Sequence, residues 1–383
     1  MKKILIVVPR LIGHGMERMA VLAAKVLSDK YDTEIIVFTD KDVQYETSIP
    51  LINLNVPAVD SKIGKGVNVI RRVKQLARYR KKVKPYAVIS FGTSANIANA
   101  LSKGCGYTII SFRGYATVAK GASCFLTCKL SDWIFCISEG LVNHLVELYP
   151  WTKEKTSVIY NCIDRDAISM ASTDFVEYTP DTPAFVAVGR LEPVKGYNHL
   201  LNAYYIVQKA IPSASMTFIG EGSERENLQK KAEELGISDK VCFLGSHENP
   251  FPYVKRCDIC VGTSITEGFM NVLVEAGACG VPVISVDCPS GPREILSELR
   301  PTHPLTKIEY ADYGILVPAF ISPESNEPEK EKLLAEAMIK LATDQTLYQK
   351  YKKAIWNRTN RFTIDNYRYN LTELLESRLQ NGE

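Results

Sequence analysis

The sequence predicts an α/β protein made of two doubly wound units, each a parallel sheet with helices on both faces. Three observations predict it. Short apolar, β-branched runs such as Ile4 to Val8, Ala184 to Val188 and Pro282 to Val286 recur along the chain, with segments of helical period between them. Strands buried on both faces read as continuous apolar runs, and the intervening helices supply the crossovers that parallel pairing requires. The chain has 383 residues, more than one compact core usually supports. A stretch without clean period, Ile163 to Pro183, carries Asp, Thr, Ser and Pro and reads as the linker.

Taken in order, Lys3 to Pro9 is a strand, followed by the loop Leu11 to Gly15 and a helix from Met16 to Leu27. Thr33 to Thr39 and Leu51 to Val56 read as the next strands. Ala87 to Phe91 leads through Gly92-Thr93-Ser94 into a helix, and Tyr107 to Phe112 ends at Arg113-Gly114. Trp133 to Ser138 precedes a helix from Glu139, and Thr156 to Tyr160 ends at Asn161. The second unit runs strand Ala184 to Val188, loop Gly189-Arg190, helix Tyr197 to Lys209, strand Ser215 to Ile219 and turn Gly220-Glu221-Gly222. A helix from Glu224 to Leu235 and strands Val241 to Leu244 and Asp258 to Thr263 follow. A helix from about Phe269 to Cys279 and a strand from Pro282 to Val286 come next. Helices after Pro328 finish the chain, and the last, Ile364 to Arg378, has no following strand to cover, so it is expected to cross back onto the first unit. The domains expected are residues 1–165 and 166–362, with 363–383 as the returning helix.

Composition narrows the function classes. A hydrophobic content of 46% supports globularity, and a net charge of +3 does not point to nucleic acid. The ten cysteines fall mostly in apolar runs rather than at the dense spacing of a secreted scaffold, which favours a reducing cytosol. Cys257 and Cys260 form a CxxC without a second pair and read as core thiols rather than zinc ligands. The start, MKKILIVVPR, has an apolar run too short for a signal peptide, and no run approaches a membrane span.

The stretch Thr263 to Asp287 holds the densest chemistry. Glu267 and Glu275 bracket a helix start, and eight helical residues advance about 12 Å. That spacing does not suit two carboxylates flanking one glycosidic bond, which needs roughly 5 to 9.5 Å. It suits an elongated ligand whose phosphate sits at the helix N-terminus, near the backbone N–H groups of Asn271 and Val272. A solvated helix face is the ordinary alternative, but Phe269, Val272, Leu273, Val274, Ala276 and Ala278 leave Glu275 little polar face to share. Upstream, Gly189-Arg190-Leu191 and Lys195-Gly196 place two cations in a glycine-containing strand-to-helix loop. Such a loop can hold a diphosphate, with Arg190 as a bidentate donor and Lys195 as a point charge.

With these residues together the sequence resembles the retaining glycosyltransferases of family GT4, whose GT-B architecture has two Rossmann-like domains facing each other across a cleft. The resemblance covers essentially the whole chain. It rests on VIYNCID (158–164), VGRLEPVKG (188–196), FIGEGSERENL (218–228), VCFLG (241–245), the E-x7-E run EGFMNVLVE (267–275) and VPVISVDCPSGPREIL (281–296). It implies an N-terminal acceptor-binding domain and a C-terminal nucleotide-sugar domain. By that resemblance Arg190 and Lys195 bind the donor diphosphate and steady the leaving group, and Glu267 contacts the donor sugar, these three being the catalytic candidates. Glu275 would accept from the ribose hydroxyls. Gly15, Gly189, Gly220, Gly268, Phe269, Asn271 and Val272 complete the donor site. The acceptor candidates are His14 and Arg113. His14 stands where the family carries the first of paired glycines, so how closely that backbone approaches the donor is open. Gly220-Glu221-Gly222 lacks the third glycine of a dinucleotide fingerprint, Arg225 standing in its place, which counts against NAD.

The implied reaction is transfer from a nucleotide-sugar, a UDP-sugar in the first place, to a hydroxyl of a glycan or polyprenyl-linked glycan in cell-surface polysaccharide synthesis, with the anomeric configuration retained. No cofactor and no metal are expected. Residues 61–84 carry ten basic residues and no acid. Val69, Val73, Leu76 and Val83 recur there at helical spacing, so the segment reads as a basic amphipathic helix whose outer face attracts anionic lipid. The expected location is cytoplasmic, peripheral on the inner face of the cell membrane. The rival readings are a non-catalytic glycan-binding or scaffold protein of the same fold and a nucleotide-sugar epimerase.

Overall fold

The computed structural model describes residues 1–12, 15–41, 43–45, 47–59, 61–300 and 303–380. The chain forms two compact units, Met1–Asn161 with Tyr367–Glu383, and Cys162–Asn366.

The first unit contains β1 (Lys3–Val8), α1 (Gly15–Leu27), β2 (Asp32–Val37), β3 (Leu51–Asn53), α2 (Lys62–Val83), β4 (Ala87–Phe91) and α3 (Thr93–Leu101). It continues with β5 (Tyr107–Phe112), α4 (Ala122–Leu130), β6 (Trp133–Cys136), α5 (Glu139–Leu148) and β7 (Thr156–Val158). The strands form one seven-stranded sheet in the order β3-β2-β1-β4-β5-β6-β7. All pairings are parallel; Ile6, for example, is matched to Ile35 on one side and Ile89 on the other. Because β1 is followed by β2 on one flank and β4 lies on the other, the carboxyl ends of β1 and β4 border the point where strand order reverses. Open α/β sheets present their binding crevice there.

The second unit contains α6 (Arg165–Ala171), β8 (Ala184–Val188), α7 (Tyr197–Ala210), β9 (Ser215–Ile219), α8 (Arg225–Glu234), β10 (Val241–Gly245), α9 (Phe251–Lys255) and β11 (Ile259–Gly262). Then come α10 (Asn271–Ala278), β12 (Val283–Val286), α11 (Pro292–Leu296), β13 (Glu309–Tyr310), β14 (Ile315–Val317), α12 (Pro328–Thr343) and α13 (Gln345–Arg358). Its sheet order is β10-β9-β8-β11-β12-β14-β13, with the reversal between β8 and β11. Only β13 runs antiparallel, against β14. The last helix, α14 (Ile364–Gln380), gives its residues from Tyr367 on to the first unit. There Lys30 pairs with Glu376 at 2.9 Å, Arg368 with Asp29, and Arg378 donates to the Glu154 carbonyl at 2.9 Å.

The segment expected to be a featureless linker holds a helix. Asp164 caps α6 by accepting from the Ala167 N–H at 3.0 Å. Seven residues were too few to show a period. The segment 61–84 is helical, with Ser61 as its N-cap and Lys84 closing it in the left-handed region at φ 46°, just before Pro85. Leu76 is buried in the core with Leu5, Phe38 and Val88, and Tyr79 and Val83 pack beside it.

One expectation about α2 is corrected. Its basic residues do not all face outward. Arg80 is 1% exposed and its guanidinium donates to the Cys105 carbonyl, to Asn99 Oδ1 and its carbonyl, to the Gly106 carbonyl and to Thr108 Oγ1, at 2.8 to 3.2 Å. Burial pulls this guanidinium down to about 10, opposed by the Asp132 carboxylate, so it remains a cation at neutral pH. Helical arithmetic explains the placement: Arg80 stands four residues after Leu76, on the buried stripe.

Candidate functional site

In the second unit two loops flank the reversal point. The first follows β8. Gly189 has φ 151° and Gly196 φ 62°, and a 3-10 turn, Pro193–Lys195, lies between them. A Cβ on Gly196 would stand 2.3 Å from the Thr263 carbonyl, so the loop can close against the strand-end of β11 only with glycine there. Thr263 Oγ1 in turn donates to the Lys195 carbonyl at 2.9 Å. Lys195 is thereby fixed by its backbone, and its Nζ reaches Glu267 Oε1 at 2.6 Å.

The second loop follows β11. Ser264 Oγ donates to the same Glu267 oxygen at 2.7 Å, so the carboxylate is oriented from two sides. Both charged side chains stay partly open, at 22% and 17% exposure. Glu267 precedes α10 rather than lying on it, because the helix starts at Asn271. The helical-rise estimate for the Glu267 to Glu275 separation therefore does not apply, and only Glu275 sits on the helix. No side chain caps the first turn of α10. Asn271, Val272 and Glu275 are half-buried, whereas Gly268 and Phe269 are buried. Phe269 packs edge-on against Phe362 at 5.2 Å, so its ring belongs to the interior and only its backbone lines the loop.

Gly220 closes the back of the first loop. It has φ 145°, and an added Cβ would stand 2.0 Å from the Gly189 carbonyl. Gly220→Ala is expected to destabilise the second unit by about 2 kcal/mol or more, since backbone strain and a backbone clash add. Differential scanning calorimetry reads this directly, and an unchanged midpoint would show that the loop tolerates a side chain. Arg190 is exposed, and its side chain makes no hydrogen bond or ion pair among the described residues.

Sequence reading missed the supports. Ser290 Oγ donates to the Gly268 carbonyl at 2.8 Å. Gly291, at φ 98°, lets the loop after β12 approach within 2.9 Å of the Met270 nitrogen and Phe269 Cα, measured from the position a Cβ would take. Arg293 bridges Asp287 at 2.7 Å and Glu309 at 3.0 Å. The Ser-Gly-Pro triplet of the 281–296 run was the available signal. Among the described residues no three His, Cys, Asp or Glu side chains converge as a metal site would require.

The other candidates lie in the first unit. Gly15 opens α1, and a Cβ there would meet nothing within 4 Å, so packing does not demand glycine. Arg113 donates to Asn161 Oδ1 and lies 5.3 Å from the Phe91 ring centre. The His14 candidate falls outside the described residues. Two cavities open at the carboxyl ends of this sheet. One of about 180 Å3 is lined by Thr93, Asn96, Phe112, Lys120 and Cys124. A second, of about 410 Å3, lies around Arg10 and Ser94. The expected acceptor loop Gly92-Thr93-Ser94 thus contributes to both, and Ser111 to Gly114 contributes Phe112 to the first.

Comparison with known proteins agrees with this geometry. Residues 174–306 match the model of glycosyl transferases group 1. An uncharacterized glycosyltransferase of Methanocaldococcus jannaschii is 33% identical over 226 residues, 56% of this chain and 55% of that protein. The N-acetylgalactosamine-N,N'-diacetylbacillosaminyl-diphospho-undecaprenol 4-alpha-N-acetylgalactosaminyltransferase of Campylobacter jejuni is 26% identical over 232 residues, 61% of this chain and 56% of that protein. The chain thus spans about half the length of these curated relatives. The crystal structure of Anabaena HepE in complex with UDP and glucose superposes with a TM-score of 0.74 at 17% identity, covering 98% of this chain and 100% of that one. The chain thus has the GT-B fold over nearly its whole length, and residues 174–306 are similar to the glycosyl transferases group 1.

Proposed function

We propose that the protein is a retaining glycosyltransferase that moves a sugar from a UDP-sugar to a hydroxyl of a glycan or polyprenyl-linked glycan in cell-surface polysaccharide synthesis, without a metal or other cofactor. The observation that carries this reading is the Lys195 to Glu267 pair at 2.6 Å, held at the reversal point between β8 and β11 beside the uncapped start of α10. Loss of the nucleoside diphosphate builds negative charge. Arg190, Lys195 and the first-turn amides of α10, including those of Asn271 and Val272, stabilise it as preorganised donors. Glu267 contacts the donor sugar and Glu275 accepts from the ribose. Gly189 and Gly220 keep the diphosphate loop free of side chains. The HepE structure, solved with UDP and glucose, supports the choice of nucleotide, and the Campylobacter relative, named for a diphospho-undecaprenol substrate, supports a lipid-linked acceptor.

The test is calorimetric titration of UDP, GDP, ADP and NAD in EDTA, followed by determination of the anomeric configuration of the product by NMR. Tight UDP binding that is lost in Glu275→Ala is expected. Binding of GDP or ADP instead would change the donor, and binding of none would remove the enzymatic reading.

Peripheral membrane attachment runs through α2. Arg71, Lys74, Arg78, Lys81 and Lys82 are exposed on one face, and Val67 and Ile70 share that face at 43% and 56% exposure. At 100° per residue all seven fall within about a third of the helix circumference. Cations around exposed apolar side chains favour an anionic lipid surface, at about 1 kcal/mol per basic residue. The triple change Lys74→Glu, Arg78→Glu, Lys81→Glu is expected to weaken sedimentation with phosphatidylglycerol vesicles at least tenfold. Equal sedimentation of the variant would remove α2 as the contact. Among the described residues no helix is long and apolar enough to cross a membrane.

A further inference from the structure

We infer that the first unit carries its own anion site, which binds a phosphate or diphosphate group borne by the acceptor, in the cavity of about 410 Å3 lined by Arg10, Lys41 and Arg72. These cations come from separate segments. Arg10 follows β1, Lys41 follows β2 and Arg72 projects from α2, while Ser94 stands in the first turn of α3 after β4. Since β2, β1 and β4 are neighbours in the sheet, their carboxyl-end loops converge where strand order reverses.

Among the described residues the cavity lining contains three cations and no acid; Asp40, next to Lys41 in sequence, is not part of it. Arg10 and Lys41 are exposed, and their side chains make no hydrogen bond or ion pair among the described residues. Arg72 is anchored differently. Its Nε donates to the Val56 carbonyl at 3.1 Å, and its guanidinium lies over the Phe38 ring at 4.4 Å. These contacts fix the plane of the fork, and its terminal amino groups make no hydrogen bond or ion pair among the described residues. Burial pulls this guanidinium below its ordinary value, an effect that a bound anion reverses. The start of α3 adds first-turn amides without a side-chain cap, together with the hydroxyls of Ser94 and Thr39.

Like charges gathered around a cavity repel, and an anion converts that repulsion into attraction. The cavity volume lies in the range of small-molecule sites, roughly 300 to 1,000 Å3. A single phosphate would fill a small part of it, so the ligand is a phosphate with a larger group attached. The inference rests on the transferase reading only in calling that ligand the acceptor.

The test is titration of inorganic pyrophosphate, by calorimetry, into the full chain in three forms: unaltered, Arg10→Ala/Lys41→Ala, and Arg190→Ala/Lys195→Ala. The pair Arg10 and Lys41 is chosen because both are exposed and neither holds the fold. Affinity at this site is expected to fall at least tenfold in the first variant and to persist in the second, each charge-assisted contact being worth roughly a factor of ten. Persistence in the first variant, or loss in the second alone, overturns the inference. UDP titrated into the same three proteins reports separately on the transferase reading. A last arm uses vesicles containing polyprenyl phosphate: displacement of the protein by free pyrophosphate, in the unaltered chain and not in Arg10→Ala/Lys41→Ala, places the phosphate on the lipid. Pyrophosphate binding that leaves vesicle binding unchanged places it on a soluble glycan phosphate.

Discussion

Replacing Lys195 by alanine is expected to lower turnover by two to three orders of magnitude while leaving the protein folded. The size follows from removing one preorganised donor aimed at developing charge, which costs about 10²- to 10³-fold in comparable sites. The fold is expected to survive because the ion pair with Glu267 is partly solvent-exposed on both sides, and such pairs contribute about 1 kcal/mol or less. Glu267 keeps its hydrogen bond from Ser264, so the carboxylate is not stranded. On the proposed reading a donor diphosphate competes with Glu267 for the ammonium, and the pair is a positioned cation before ligand arrives. Steady-state kinetics with product detection by mass spectrometry measures the effect. A fall in kcat larger than the rise in KM assigns Lys195 to the transition state. Turnover within about threefold of the unaltered enzyme would take Lys195 out of the mechanism.

Replacing Arg80 by methionine is expected to have the largest effect on stability. Methionine fills much of the same volume but supplies none of the donors that satisfy the Cys105 and Gly106 carbonyls, Asn99 and Thr108. Each buried acceptor left unpaired costs about 1 to 3 kcal/mol, and breaking a buried charged network about 3 to 5 kcal/mol in all. For a unit of this size that corresponds to roughly 10 °C in the first unit's melting transition. Arg80→Lys is expected to restore little, since an ammonium cannot reproduce a planar fork that donates in several directions. The measurement is thermal unfolding followed by circular dichroism. A shift of under about 2 °C for Arg80→Met would show that water takes over the network.

The strands were legible because a strand buried on both faces announces itself locally. β1, β4, β8 and β12 each carry at most one polar residue, and the structure buries nearly all of their positions. Short elements were not legible. α4, β13 and β14 have nine, two and three residues, lengths at which periodicity carries little information. The helix of the central stretch is legible, but it starts at Asn271, two residues after the expected Phe269. Phe269 looked like a helical core position, while the chain is still turning there around Gly291. Arg80 is one of the ten basic residues of 61–84, and a count of charges does not show that its place on the Leu76 stripe buries it.

By itself the sequence determined the two α/β units, the loops that carry Arg190 and Lys195, and the helix start bracketed by Glu267 and Glu275, because these depend on neighbouring residues. The tertiary structure alone decided which distant groups meet. Lys195 reaches Glu267 across 72 positions, and Arg10, Lys41 and Arg72 gather around one cavity. Such meetings follow from strand order, with β8 beside β11 and β1 between β2 and β4. Strand order is set by the packing of whole sheets and helices, and no local stretch of sequence encodes it.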